Sequence, residues 1–145
     1  VCRLVLGCTT PGGSHARERD PEVRRALAGP DATQVMTDLM YTPEWQATNP
    51  GPYTVLGDPT MTPRARRQHL RASDSHDAWD HLPEIAAPTF ILHGSDDRFA
   101  PVVNAEILAS AIPDARTHVF DGARHAYFDE CRAEASPLVM TFLDD

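Results

Sequence analysis

Two short segments concentrate the residues able to do chemistry. Gly94-Ser95-Asp96-Asp97-Arg98-Phe99-Ala100-Pro101 carries paired carboxylates, and Asp121-Gly122-Ala123-Arg124-His125-Ala126-Tyr127-Phe128 carries a histidine 28 residues after Asp97. A hydroxyl is a weak nucleophile and needs a base to take its proton. An imidazole does this, and a buried carboxylate beside it fixes its tautomer and stabilises the imidazolium that forms. Asp97, directly before Arg98-Phe99-Ala100-Pro101, is preferred as the acid over its neighbour Asp96. The plain alternative is a turn carboxylate, since Asp favours turns. His93, one residue before Gly94, reads as a packed or supporting residue. His76 and His81 flank Asp77 and Asp80, but no third ligand has zinc-like spacing, so a surface cluster is expected there and no metal.

These residues need a frame. Pro88 precedes Thr89-Phe90-Ile91-Leu92-His93-Gly94, a short apolar run ending in glycine, which predicts a buried strand. Ala115 to Phe120 predicts another, and Val1 to Cys8, closed by Thr9-Thr10-Pro11-Gly12-Gly13, a third. The Val1 to Cys8 run has so little polar alternation that it suits a central parallel strand buried on both faces. Pro101 to Ile112 predicts an amphipathic helix with Val103, Ile107, Leu108, Ala111 and Ile112 on its apolar side, and a last helix carries Ala135, Leu138, Val139, Phe142 and Leu143. Between the first two strands lies a segment holding most of the thirteen prolines. It predicts short helices: Pro21 to Ala28, one capped by Asp31, one from Thr42-Pro43, and a longer one from Thr62-Pro63 towards Trp79. Strands alternating with helices mean an α/β fold with a parallel sheet, and ligands gather at the carboxyl ends of such strands. Both chemical segments fall there.

At these residues the chain resembles the α/β-hydrolase superfamily. Gly94, Asp97 and Pro101 meet its G-x-x-D-x-x-x-P pattern, and Gly122 and His125 meet G-x-x-H before the last helix. Ile85-Ala86-Ala87-Pro88-Thr89 leading into the acid strand is also family-like. The resemblance implies the C-terminal portion of a parallel hydrolase sheet with an inserted helical cap: residues 1–13 a core strand, 14–82 the cap, 83–145 the C-terminal βαβα. It implies Asp97 and His125 as acid and base of a Ser-His-Asp triad, and some cap residues among Met36, Met40 and Trp45 as the lining of a substrate pocket. The family's order is serine, acid, histidine, so the nucleophile and oxyanion hole are expected upstream. The nearest elbow lookalike, Gly12-Gly13-Ser14-His15-Ala16, lies several residues past the strand and leads into Arg17-Glu18-Arg19-Asp20, which does not suit a nucleophile. The expected reaction is hydrolysis of a carboxylic ester or lactone, without a cofactor, in members similar to esterases and enol-lactonases. The alternatives are a non-catalytic binding derivative of the fold, or dehalogenase or epoxide-hydrolase chemistry if the elbow residue is Asp.

Composition narrows the partners. A net charge of -8 argues against nucleic acid. The basic run Arg64, Arg66, Arg67 and Arg71 reads as a solvated helix face. No apolar run approaches the ~20 residues of a membrane span. Cys2, Cys8 and Cys131 form an odd, sparse set without metal spacing, which fits small apolar fillers in a reducing cytoplasm. The expected partner is a small-molecule ester or lactone.

Overall fold

Thr89–Gly94 (β2) is buried at all six positions, because both its faces and both its edges are covered. Leu4–Gly7 (β1) pairs with it in parallel, Leu4 opposite Thr89, and Ala115–Phe120 (β3) pairs in parallel on the other side, Thr89 opposite Ala115. The sheet order is β1-β2-β3. The computed structural model describes residues 2–53, 58 and 60–144.

Alternation along β2 splits the core in two. Phe90 and Leu92 pack with Phe120 of β3 and with Tyr127, Ala135 and Phe142 on the inner side of Tyr127–Glu130 and Arg132–Asp144. Ile91 faces Leu82, Ala105, Leu108 and Ile112, mostly from Val103–Ala111 and its end. Helices therefore cover both faces. Each fully buried large side chain here contributes about 1.5–3 kcal/mol, so the acid strand is the most tightly held element of the chain.

The inserted helices are Pro21–Leu27 (α1), Ala32–Met40 (α2), Pro43–Thr48 (α3) and Pro63–Asp74 (α4). They are followed by Val103–Ala111 (α5), Tyr127–Glu130 (α6) and Arg132–Asp144 (α7). Thr42 and Thr62 cap α3 and α4 as their sequence signatures predict, each hydroxyl accepting a backbone N–H from three residues on. Asp31 stands at the N-cap of α2 but its side chain makes no capping bond. The arginines of α4 are exposed, as a solvated face requires.

Several boundaries differ from expectation, each for a tertiary reason. β1 is half-exposed, since β2 covers only one of its edges. On α5, Val103 is 40% exposed, and the buried side runs through Asn104, Ala105 and Leu108 instead. α4 stops at Asp74, short of Trp79, because the next residues pair with the end of the first strand loop. Gly13 N–H donates to the His76 carbonyl, Ala78 N–H donates to the Pro11 carbonyl, and Gly12 bridges Asp77. Gly12 and Gly13 have φ of 71° and 58°, and a Cβ on either would overlap His76 or Asp77. The helical insertion thus leaves and rejoins the sheet at one stitched point. Among its described residues none belongs to a strand of the sheet.

Candidate active site

Gly94 ends the acid strand where the histidine loop crosses it. A Cβ at Gly94 would lie 2.3 Å from the Ala123 carbonyl oxygen and 2.4 Å from that of Arg124. This close approach lets the two loops exchange hydrogen bonds. Ser95 N–H donates to the Phe120 carbonyl (2.9 Å), Asp96 N–H to the Ala123 carbonyl (3.0 Å), and Gly122 N–H to Ser95 Oγ (2.7 Å). Gly122 turns the chain back with φ 71°, a region that favours glycine.

The result is a fixed pair. Asp97 Oδ2 lies 2.8 Å from His125 Nδ1. Asp97 Oδ1 accepts the backbone N–H groups of Phe99 and Ala100, both at 2.8 Å. His93, fully buried, places Nε2 2.7 Å from the Ala100 carbonyl and 3.3 Å from Asp97 Oδ2. A carbonyl only accepts, so this nitrogen carries a proton, while His93 Nδ1 has no hydrogen-bond partner among the described residues. Burial by itself raises the Asp97 carboxyl. The hydrogen bonds from His125 and His93, the His125 charge and the Ala100 N–H outweigh it and hold Asp97 well below the usual carboxylate range. It is an ionised acid in a dry setting. With Nδ1 engaged by Asp97, Nε2 is the nitrogen of His125 free to exchange a proton. The ring, 18% exposed, borders a cavity of about 570 Å³. Phe99 packs against it, ring centroids 4.7 Å apart.

The inserted helices hold the histidine loop from the other side. His125 N–H donates to the Leu39 carbonyl (3.4 Å) and Ala126 N–H to the Met40 carbonyl (2.9 Å), both at the C-terminus of α2. Arg124 Nη1 reaches the Asp38 carbonyl and the Tyr41 carbonyl (3.0 Å), capping that helix end with a cation. Glu130 accepts the backbone N–H of Arg124 through one oxygen and that of Thr42 through the other. Tyr41, 1% exposed, donates to Asp129 (3.1 Å).

The other residues singled out by sequence fall as follows. Asp96 is exposed, accepts from the Ser95 hydroxyl, and does not face His125. Ser14 is exposed in a 3-10 turn and makes no hydrogen bond to His125. His81 lies 3.4 Å from Glu84 on the surface, and His76 lends its backbone to the stitch. Met36 borders an apolar cavity of about 550 Å³ together with Phe99. Met40 is buried and packs with Tyr41 and Ala126, and Trp45 stacks on Tyr41 (4.4 Å). Neither lines the two cavities that Phe99 borders.

Cys8 is buried in the core with Phe90, Leu92 and Tyr127, as a filler would be, and also approaches the acid and the histidine. It has φ 45° at the end of the first strand, and its sulfur, an Asp97 oxygen and a His125 nitrogen lie within 4.8 Å of one another. These are zinc-type ligands. However, the Asp97 carboxylate already meets four donors, and burial, then the Asp97 charge, pushes the thiol far up. A thiol held protonated is neither a ready ligand nor an activated nucleophile. No sequence signal marks Cys8, because the strained backbone that aims it is invisible in residue type.

The serine aminopeptidase S33 family pattern matches residues 54–132. A poly(3-hydroxyalkanoate) depolymerase of Ectopseudomonas oleovorans is 41% identical over 63 residues, 43% of this chain and 22% of that protein. A 2-hydroxy-6-oxo-6-phenylhexa-2,4-dienoate hydrolase of Delftia acidovorans is 45% identical over 51 residues, 33% of this chain and 18% of that protein. Among solved structures, the enol-lactonase from Burkholderia xenovorans LB400 superposes with a TM-score of 0.75 at 19% identity, over all of this chain and 57% of that one. The esterase from Exiguobacterium antarcticum gives 0.74 at 19% identity, over all of this chain and 58% of its own. The chain thus spans about half the length of these solved structures and matches under a third of those curated relatives. No helix among the described residues is long and apolar enough to cross a membrane. The architecture is that of the C-terminal portion of an α/β-hydrolase, and the chain belongs to the serine aminopeptidase S33 family of these hydrolases.

Proposed function

We propose that this chain supplies the acid and base of an acyl hydrolase: Asp97 orients and charges His125, and His125 Nε2 takes the proton of a serine hydroxyl contributed from outside these 145 residues. The serine oxygen then bonds to the carbonyl carbon of an ester or lactone. The imidazolium returns the proton to the leaving oxygen as the acyl bond breaks, and water repeats the cycle on the acyl-enzyme. The observation that carries this reading is the 2.8 Å Asp97–His125 bond, with the ring bordering a cavity. The relatives named above lend it support, since all are hydrolases, an esterase and an enol-lactonase among them.

In this reading residues 14–82 form a cap over the carboxyl edge of the sheet. Their ends meet at one stitched point, and α2 grips the histidine loop. Met36 lines the acyl pocket, while Met40 and Trp45 shape it from behind through Tyr41.

The test uses the protein extended upstream through a G-x-S-x-G elbow. It is assayed on p-nitrophenyl esters and treated with a fluorophosphonate probe. Labelling of the elbow serine, with turnover lost in His125→Gln, is expected. Labelling of Ser14, or full turnover in His125→Gln, would overturn the proposal.

A further inference from the structure

One cation near His125 stands without an ion-pair partner among the described residues. Asn104 on α5 is fully buried, and its side-chain amide clamps the backbone of Arg17 from both sides: Oδ1 accepts the Arg17 N–H (2.8 Å) and Nδ2 donates to the Arg17 carbonyl (2.9 Å). Its Nδ2 also donates to Pro101, so the clamp is anchored to the acid loop's end. The clamp fixes the chain two residues before Arg19. The Arg19 guanidinium then lies 3.9 Å from the Phe99 ring centroid, and Phe99 is the ring packed on His125.

Arg19 is half-buried and, among the described residues, makes no ion pair and no side-chain hydrogen bond. Its neighbour Arg24 is satisfied by Glu18 at 2.6 Å. Burial, then the Arg24 charge, pulls the Arg19 guanidinium below the usual arginine range. The charges of Glu18, Asp97 and Asp74 act the other way, but none of them pairs with the guanidinium, and a partly desolvated cation without a paired counter-charge is costly unless something supplies one. Stacking on an aromatic face offsets only part of that cost and leaves the edge donors of the guanidinium free.

Its position says what would supply the charge. Arg19 borders both the His125 cavity and the mainly apolar cavity of Met36, Leu27, Met61 and Leu70, whose charged lining besides Arg19 is Arg66 and Asp58. A group bound at its edge would sit between the reacting centre and an apolar pocket. A planar fork of donors matches a carboxylate.

We infer that Arg19 is a recognition residue for a carboxylate on the substrate, so that the site prefers acyl substrates carrying a negative charge over neutral ones of the same length. The identification of the bound molecule as an acyl substrate rests on the hydrolytic reading above; the charge preference is measured without turnover. Steering and orientation by one fixed charge predict about a tenfold preference, or ~1.4 kcal/mol.

The experiment compares monomethyl adipate with dimethyl adipate, equal in chain length and differing by one charge. Binding to the full chain is followed by NMR at Phe99, His125 and the Arg19 side chain. The expected result is about tenfold tighter binding of the monoester, weakening with added salt. Arg19→Met should bring the monoester down to the diester's affinity and leave the diester unchanged, and Arg19→Lys should keep part of the preference. Equal affinity of the two esters for the unaltered protein would overturn the inference, with no variant needed. So would a preference that survives in a folded Arg19→Met protein, or shifts confined to other surfaces. A charge preference in this chain, accompanied by undiminished turnover when His125→Gln is placed in the protein extended upstream through its elbow, would instead refute the hydrolytic reading and leave this one standing.

Discussion

Replacing Asp97 by Asn changes one atom and should disable the site through a tautomer. The Asn carbonyl oxygen can keep the two 2.8 Å bonds from Phe99 and Ala100. The amide NH2 then takes the place of Oδ2, facing His125 Nδ1 at 2.8 Å and His93 Nε2 at 3.3 Å. His93 cannot adapt, because its Nε2 proton is committed to the Ala100 carbonyl. His125 must therefore accept at Nδ1, which moves its proton to Nε2, the nitrogen that has to receive one. Loss of the correct tautomer costs about 10⁴-fold in kcat, or roughly 5.4 kcal/mol at ~1.36 kcal/mol per decade. KM should change little, since neither group is the main binding surface. Stability should fall by about 1–3 kcal/mol, the cost of one buried charge-assisted bond. Ester hydrolysis by the complete enzyme gives kcat, and the ring ¹⁵N shifts of His125 give the tautomer. Activity within about tenfold of the unaltered enzyme, less than a positioned base normally contributes, would refute the reasoning. So would a His125 that keeps its proton on Nδ1.

Stability should also depend on acid through the same carboxylate. Asp97 is depressed in the folded state, so its contribution is intact above the unfolded value of ~3.9 and is lost as pH falls below it towards the folded one. Urea midpoints taken from pH 7 down to pH 3 should drop further for the unaltered protein than for Asp97→Asn; an equal drop would contradict this. Gly94→Ala should cost upwards of ~3 kcal/mol, because both atoms its Cβ meets are backbone carbonyl oxygens that cannot swing away; a near-neutral urea midpoint would show that the loops are not stitched there. Met40→Ala is a core deletion and should cost about 2–4 kcal/mol, whereas Met36→Ala should alter preference for acyl chain length with little loss of stability. Equal loss of stability in the two variants, read from the same melts, would contradict this division.

Local pattern located the strands, and together with the family resemblance it singled out Asp97 and His125. Pro88 and Gly94 bracket an apolar run too short for a helix, and β2 occupies that run. Ala115 to Phe120 was legible in the same way although half of it is exposed, since Thr117, Val119 and Phe120 are residue types that fit a pleated, half-buried surface. Asp97 and His125 were legible because their motifs are short and sit at strand ends, where parallel pairing leaves little freedom in the geometry. Tertiary structure decided the rest. β1 reads as a central strand, yet exposure is set by how many partners a strand has, which its own residues do not encode. Met36 and Met40 are four residues apart with the same side chain, and only the packing of α2 on the histidine loop sends one to a cavity and the other to the core. Cys8 is the filler its residue type suggests, but its positive φ and its approach to the acid appear only in the fold. Asn104 drew no reading from the sequence, and Arg19 stands there within the charged run Arg17-Glu18-Arg19-Asp20. Their roles depend on a contact spanning 87 residues, and no periodicity reports a hydrogen bond between segments that meet only after the sheet has formed.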